Sequence, residues 1–421
     1  MCWPTPELAP ALSAPGPEKR AYQRVEATRA RIAWRWVPGN VTGVKLIYLV
    51  AGEESGDALG ARLMGALRAR RPEVGFAGVG GARMAEQGLV SLFPMRELAL
   101  MGFLEVVPRI PRLRQRLAQT VADIATKRPR AVVTIDNPGF ALRLLRQVGR
   151  LGIRRVHYVA PQVWAWRESR VRRYPGLWDQ LLCLLPFEPA FFARTGLPAR
   201  FVGHPVLESG ADRGDAERFR DRHAIPAGEP VVTVMPGSRR TETGRLLPVL
   251  GAALRLMAKS QAVVPVVPVA AAVAEVVRTG TANWAVRPIL VTETQEKFDA
   301  FAASAAAVTK SGTSTLELAM AGVPMLVTYR VHPVSAALAR RMIRVPYASL
   351  LNLLSGREVV PELLQEACTP ERVAEALGRL LERPSEQRGS FGPVLEMLRP
   401  PGGLMPSEAA TEAVLELMDQ S

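Results

Sequence analysis

A chain of 421 residues that is 48% hydrophobic and 22% charged has the length for two or three domains with a real core, and its composition excludes a stapled miniprotein, a fibrous repeat and a disordered chain. The longest nearly unbroken apolar run, residues 262–274, contains Pro265 and Pro268 and falls short of the ~20 residues a bilayer-spanning helix needs, which excludes a transmembrane segment. Basic residues outnumber acidic ones by 54 to 39, and the resulting +15 favours anionic partners: nucleic acid, phosphate-bearing metabolites or an acidic lipid surface.

Residues 1–44 are Pro-rich without a sustained period and read as a poorly ordered extension. Pro4, Glu7, Pro10, Pro15 and Glu18 break up any secretory h-region, so the chain is expected to stay in the cytoplasm. From Lys45 the texture changes. A strand is predicted over 44–51, then a Gly-containing turn and an apolar-periodic helix over 57–70. Further strands are predicted at 74–77, 131–135, 155–159, 180–184 and 200–202, with helical stretches such as 113–127 between them. Strands that are apolar throughout belong to a parallel sheet covered on both faces. Gly210, Asp212, Arg213, Gly214, Asp215, Pro226 and Gly228 mark a linker at 205–228. A second series of strands follows at 231–235, 263–269, 289–291, 306–308 and 324–328. The fold class is therefore α/β: two Rossmann-like, doubly wound domains facing across a cleft, at 45–205 and 206–385, with 386–421 as a C-terminal tail. Cys2, Cys183 and Cys368 are far apart and without a metal-spaced partner, so they read as plain thiols and no metal site is expected.

Such a pair holds its ligand beyond the carboxyl ends of its strands, which makes the loops there the candidates. After the first strand stand Gly52, Glu53, Glu54, Ser55, Gly56 and Asp57, an anionic turn in which Asp57 can cap the following helix; an ordinary capped helix start reads equally well. The glycines of 78–81 lack G-x-G-x-x-G spacing and do not make a dinucleotide fingerprint. Asp136, ahead of Asn137, Pro138 and Gly139, is placed as a general base or as a helix cap. Trp164 and Trp166, beside Arg167, suit a sugar, a lipid interface or a domain contact, and His204 reads as structural. In the second half, Gly237, Ser238 and Arg239 offer backbone donors, a hydroxyl and a guanidinium to a phosphate. Lys310, Ser311, Gly312, Thr313, Ser314, Thr315 and Glu317 open a helix whose start can cradle an anion, with Glu317 placed to accept from ribose hydroxyls. No Walker loop is present, so the inference is a diphosphate held by helix dipole and Arg without a metal.

These motifs resemble one family. The segments AGEESGD (51–57), ELALMGFLEVV (97–107), HYVAPQVWAWR (157–167), LPFEPAFF (185–192), PGSR (236–239), SGTSTLELA (311–319) and NLLSGRE (352–358) are similar, in that order, to the lipid-A-disaccharide synthases, over residues 45 to about 417. The resemblance implies a GT-B fold and an inverting glycosyl transfer from UDP-2,3-diacylglucosamine to the 6-hydroxyl of 2,3-diacylglucosamine 1-phosphate, giving a β-1,6 disaccharide and UDP, with no metal or cofactor. This chain departs from the family in its N-terminal extension, in Asn137 where Ala is frequent, and in the Pro-Pro-Gly-Gly turn at 400–403.

Family and residues together place Asp136, Glu53 or Glu54 as the base, with Ser55 beside them, and Arg239 and the Ser311 helix at the departing UDP. Ser55, Glu317 and Asn352 carry over as substrate or nucleotide contacts, and Arg357 is a phosphate candidate on charge alone. Because both implied substrates are acylated, residues 98–116 are expected to meet an anionic inner membrane from its cytoplasmic face: Leu98, Leu100, Met101, Phe103 and Leu104 apolar, then Arg109, Arg112, Arg114 and Arg116. An amphipathic core helix with a solvated basic side fits the same pattern. Residues 414–418 are expected to pack on the first domain or on a partner chain, as in a homodimer. The competing readings are a UDP-N-acetylglucosamine 2-epimerase, a lipid II-type N-acetylglucosaminyltransferase and a nucleic-acid binder; no RRM, KH, zinc-finger or helix-turn-helix signature supports the last, and nucleic acid is not an expected partner.

Overall fold

The computed structural model describes residues 45–98, 110–166 and 168–420. The expected extension at 1–44 lies outside them, as do Leu100, Met101, Phe103, Leu104, Arg109 and Arg167. Six strands, β1 (Leu46–Ala51), β2 (Gly75–Val79), β3 (Ala131–Ile135), β4 (Arg154–Tyr158), β5 (Gln180–Cys183) and β6 (Ala199–Phe201), form a first sheet in the order β2-β1-β3-β4-β5-β6. The second sheet runs β12-β11-β10-β7-β8-β9, from β7 (Val231–Met235), β8 (Val264–Pro268), β9 (Ile289–Val291), β10 (Ser304–Lys310), β11 (Met325–Tyr329) and β12 (Glu362–Leu364). Every pairing is parallel. All five residues of β3 are buried, because helices cover both faces of the sheet; continuous apolar strands need that cover. The helix Glu54–Arg70 supplies part of it, setting Leu59, Leu63, Met64 and Leu67 into the core of β1 and β3.

Strand order locates the ligand crevice. In the first sheet the winding reverses between β1 and β3, and in the second between β7 and β10. At such a switch point the two neighbouring loops leave on opposite sides of the sheet and open a gap. The four loops so selected are 52–54, 136–137, 236–239 and 311–313.

The 205–228 linker is more ordered than its glycines suggest. Helix Ala216–Arg222 lies along helix Thr294–Ala303, with Arg218 bonded to the buried Asp299 at 2.6 and 2.7 Å. Near residue 400 the chain recrosses beside the first crossing, where the His204 amide donates to the Leu398 carbonyl at 3.0 Å. The helix Pro406–Asp419 then returns to the first sheet and buries Ala409, Ala410, Ala413, Val414, Leu417 and Met418 with β1 and β3. Asp419 pairs with Lys45 at 3.1 Å and with Arg71 at 2.6 Å at its outer end. Strand β12 was not foreseen, since three residues starting on Glu362 carry no apolar run. Among the described residues no helix is long and apolar enough to cross a membrane.

Candidate active site

On the first sheet, Glu53 leaves β1 extended, and its carbonyl accepts the Asp57 amide at 2.9 Å as the helix Glu54–Arg70 begins. Glu53, Glu54 and Ser55 stay exposed. Asp57 does not cap its own helix, contrary to expectation. It is buried and accepts from the amides of Gly81 (2.7 Å), Arg83 (3.0 Å) and Met84 (3.1 Å), and so caps the helix Ala82–Glu86. Gly81 has no room for a side chain because a Cβ there would meet Asp57 Oδ2 at 2.6 Å.

Asp136 and Asn137 are both left-handed, at φ 51° and 44°, and Val159 at the end of β4 has φ 80°. Non-glycine residues in that region store strain, and a β-branched one is a rare outlier. The surroundings hold them. The Asp136 amide donates to Tyr158 O at 2.8 Å and the Val159 amide to Leu182 O at 3.0 Å. The Asn137 side chain lies over Gly52, where a Cβ would come within 2.1 Å of its Nδ2, and that Nδ2 donates to Leu98 O at 3.1 Å. Asn137 therefore ties the two switch-point loops to the residue that leads into 99–109. Burial pushes the Asp136 carboxyl up, and the Asn137 amide offsets part of the shift. Although much of its surface meets solvent, partial desolvation in the loop pushes the Glu53 carboxyl up, the Asp136 charge adds to this, and Arg239 pulls it back. Arg239 belongs to the second sheet, so the two sets of loops lie within electrostatic reach across the cleft.

On the second sheet, the register Thr309↔Met235 sets the loops after β7 and β10 side by side. Gly237 takes φ 106°, a conformation a glycine supplies without strain, and its carbonyl accepts Thr243 Oγ1 at 3.1 Å. Arg239 stands exposed as the cap residue of the helix Arg240–Met257, whose positive end faces the crevice. Ser311 Oγ donates to the Ala348 carbonyl at 2.5 Å. The helix Ser314–Met320 offers less than expected, because the amides of Thr315, Leu316 and Glu317 already close onto Gly312 and Thr313. Thr315 is buried with its hydroxyl on Gly312 O at 2.8 Å, which makes it a brace for the turn. Glu317 is half-buried, and Lys297 Nζ holds both its oxygens at 3.0 Å.

One carried-over contact, Asn352, and one candidate chosen on charge alone, Arg357, are corrected by their placement. Asn352 is wholly buried: Oδ1 accepts from Val359 and Val360 at 2.7 and 2.9 Å, and Nδ2 donates to Val360 O and Glu362 Oε1 at 2.8 and 2.9 Å. Its amide has no bond left for a ligand. Arg357 sits exposed at the far end of the helix Leu350–Ser355, reaching Ser390, about 9 Å along the axis from the Ser349 end beside Ser311.

Of the alternatives for Trp164, the structure shows the domain contact and not the acyl contact. Its indole donates to Glu188 Oε1 at 3.1 Å, its ring meets Phe187 edge-on at 4.9 Å, and it packs on a core shared with β10 and β11. Burial lifts Glu188 to about 7, against the pull of the Leu185, Trp164 and Leu184 N–H groups. Trp166 is 41% exposed with Arg170 over its ring. Arg112 is exposed on the helix Ile110–Lys127 and forks onto Glu97 at 3.0 Å twice. His204 is structural, its Nδ1 accepting from the Val206 amide at 3.1 Å. Sequence reasoning passed over Glu242, Lys297 and Tyr329, since each looks like an ordinary helix or strand-end residue.

Comparison with known proteins shows the family and the fold. Residues 47–390 match the family model described as lipid-A-disaccharide synthetase. A lipid-A-disaccharide synthase of Granulibacter bethesdensis is 56% identical over 390 residues, covering 89% of this chain and 99% of that one. That of Gluconobacter oxydans is 57% identical over 380 residues, with 89% and 91% covered. Among solved structures, a UDP-GlcNAc 2-epimerase of Neisseria meningitidis bound to UDP-GlcNAc superposes with a TM-score of 0.61 at 12% identity over 89% of this chain and 100% of that one. The calicheamicin glycosyltransferase CalG4 gives 0.56 at 14% identity, over 90% and 99%. At those identities the likeness shows the fold alone, the GT-B pair of facing Rossmann-like lobes. The chain belongs to the lipid-A-disaccharide synthase family, hexosyltransferases that form the lipid A disaccharide.

Proposed function

We propose that this enzyme transfers 2,3-diacylglucosamine from UDP-2,3-diacylglucosamine to the 6-hydroxyl of 2,3-diacylglucosamine 1-phosphate with inversion. The carrying observation is the family match over residues 47–390 on a fold whose two switch points bring Glu53 and Asp136 to one side of the cleft and Arg239 to the other. Asp136 removes the hydroxyl proton as the acceptor oxygen attacks the anomeric carbon. The bond from that carbon to the diphosphate breaks, and UDP leaves with the electron pair. Gly237, Ser238, Arg239 and the helix end behind them, with Ser311, Gly312 and Thr313 alongside, stabilise the charge on the leaving group. Glu317, fixed by Lys297, takes the ribose hydroxyls. Glu53, itself raised by the Asp136 charge, lines the same exposed loop as Glu54 and Ser55. Both substrates are acylated, so the enzyme collects them at the cytoplasmic face of an anionic membrane, where exposed Arg112 and Arg114 flank residues 99–109.

The test is a reconstituted assay with both acylated substrates, following UDP release and disaccharide together, with and without EDTA. D136N should lose about 10²-fold or more in rate while still binding UDP. Near-normal turnover by D136N would remove Asp136 as the base, and binding to anionic vesicles that ignores salt would remove the membrane reading.

A further inference from the structure

Glu242 lies in the first turn of the helix Arg240–Met257, almost fully buried, yet it gathers groups from three strand ends. Its carboxylate stands 3.1 Å from Lys310 Nζ at the end of β10, 3.3 Å from the Tyr329 hydroxyl at the end of β11, and 3.5 Å from Arg239 after β7. A buried carboxylate is costly unless it is paired, and this one is paired with the two cations nearest the crevice. Lys310 is also fixed along its length. Its Cδ would lie 3.2 Å from a Cβ on Gly237, so the stem crosses the Gly237 turn, and its ammonium lies 5.6 Å from the centre of the Tyr329 ring. An ammonium has three donors. Glu242 Oε2 holds the ammonium as an ion pair without receiving a directed hydrogen bond from it, so the donors stay open beside the turn that carries Arg239.

We propose that Lys310 is a second cation for the donor's diphosphate and that Glu242, with Tyr329, is the positioning residue that holds its ammonium over the Gly237 turn. The inference rests on the reading that this turn receives the diphosphate. A lysine stem is flexible, and fixing it before the ligand arrives removes an ordering cost from binding. Glu242 carries the same sign of charge as the ligand, so its removal separates two effects. As a bystander it only repels the diphosphate, and E242Q should then bind UDP more tightly. As a positioning residue it aims Lys310, and E242Q should bind UDP more weakly.

The experiment is calorimetric titration of the full chain with UDP, UMP and uridine. K310M should weaken UDP about tenfold or more and leave uridine unchanged, K310R should recover most of the loss, and E242Q should weaken UDP several-fold. Tighter UDP binding by E242Q would overturn the positioning role. Unchanged UDP binding by K310M, with R239A weakened, would overturn the Lys310 assignment while the diphosphate reading stood. If R239A too binds UDP normally, that reading itself falls. An equal loss of uridine in K310M would signal a damaged lobe and count against the proposal.

Discussion

Asn352→Ala separates a ligand contact from a scaffold. The side chain is 0% exposed and makes four hydrogen bonds: two accepted from the Val359 and Val360 amides, two donated to Val360 O and Glu362 Oε1. Truncation leaves two amides and one carbonyl without partners in a region where Val360 is also fully buried. Each such group costs about 1–3 kcal/mol, and with partial relaxation the sum is about 4 kcal/mol. That is a large share of the ~5–15 kcal/mol by which folded proteins are stable. With a urea slope near 3 kcal/mol/M, the unfolding midpoint should fall by roughly 1 M. The damage would reach the crevice indirectly. Glu362 also accepts from the amides of Ala348 and Ser349 at 2.8 Å, and the Ala348 carbonyl is what Ser311 holds. Urea unfolding and UDP titration of the same variant decide the matter: an unmoved midpoint together with lost UDP affinity would show that Asn352 touches the nucleotide and that this reasoning is wrong.

Glu53 and Asp136 are both held above the usual carboxylate range, and a base must be ionised, so the rate should climb with pH through a midpoint above that range. The Asp136 charge adds to the rise of Glu53, so D136N should let the Glu53 carboxyl titrate lower in an NMR titration; a Glu53 midpoint that stays put would uncouple them. Stability carries the matching sign. A carboxyl with a raised folded pKa contributes stability below its unfolded value and loses it as pH rises through the folded one, so D136N should raise the melting temperature near pH 8 and not near pH 3. Asp57→Ala strands three amides at the start of Ala82–Glu86 and should cost about 1–3 kcal/mol in a denaturant titration, with D57N recovering part of it. In Gly52→Ala the new Cβ would lie 2.1 Å from Asn137 Nδ2, displacing the side chain that tethers Leu98, so turnover should drop while the far-ultraviolet spectrum stays native. Ending the chain at Met405 removes the helix that completes the core of β1 and β3; the truncated protein should bind an apolar dye or precipitate, and a soluble, dye-silent product would contradict the packing.

Much of the architecture was legible because burial on both faces writes itself into a parallel strand. Val133 or Val308 has no exposed side on which to put a polar neighbour, so such strands read as unbroken apolar runs. Loops 52–54, 136–137, 236–239 and 311–313 followed from the strands that precede them. What could not be read was the direction in which a polar side chain points. Asp57 sits in the anionic loop by sequence but turns away to cap a helix that starts 25 residues on; Asn352 lies in a family motif but spends its whole amide on Val359, Val360 and Glu362; Trp164 is half of a conspicuous pair but faces Glu188. By sequence Asp57 reads as a cap for the wrong helix, Asn352 as a ligand contact and Trp164 as a sugar, lipid or domain contact, and each is consumed by the scaffold.

The same reasoning, run in the other direction, identifies what remains for chemistry. A scaffold residue has its charge or donors matched within its own lobe, as Arg218 is by Asp299 and Asp57 by three amides. Arg239 is different. It stands 3.5 Å from Glu242 in its own lobe, keeps most of its surface in solvent, and its field still reaches Glu53 in the other lobe. An incoming diphosphate would draw that charge to itself and weaken its hold on Glu53, leaving the carboxylate pair less relieved of its own repulsion and a stronger proton acceptor. Donor binding should therefore raise the midpoint of the acid limb: the pH profile of kcat, which reports the loaded enzyme, should lie above that of kcat/KM measured with limiting donor. Superimposable profiles would mean that Arg239 neutralises the diphosphate without acting on the base.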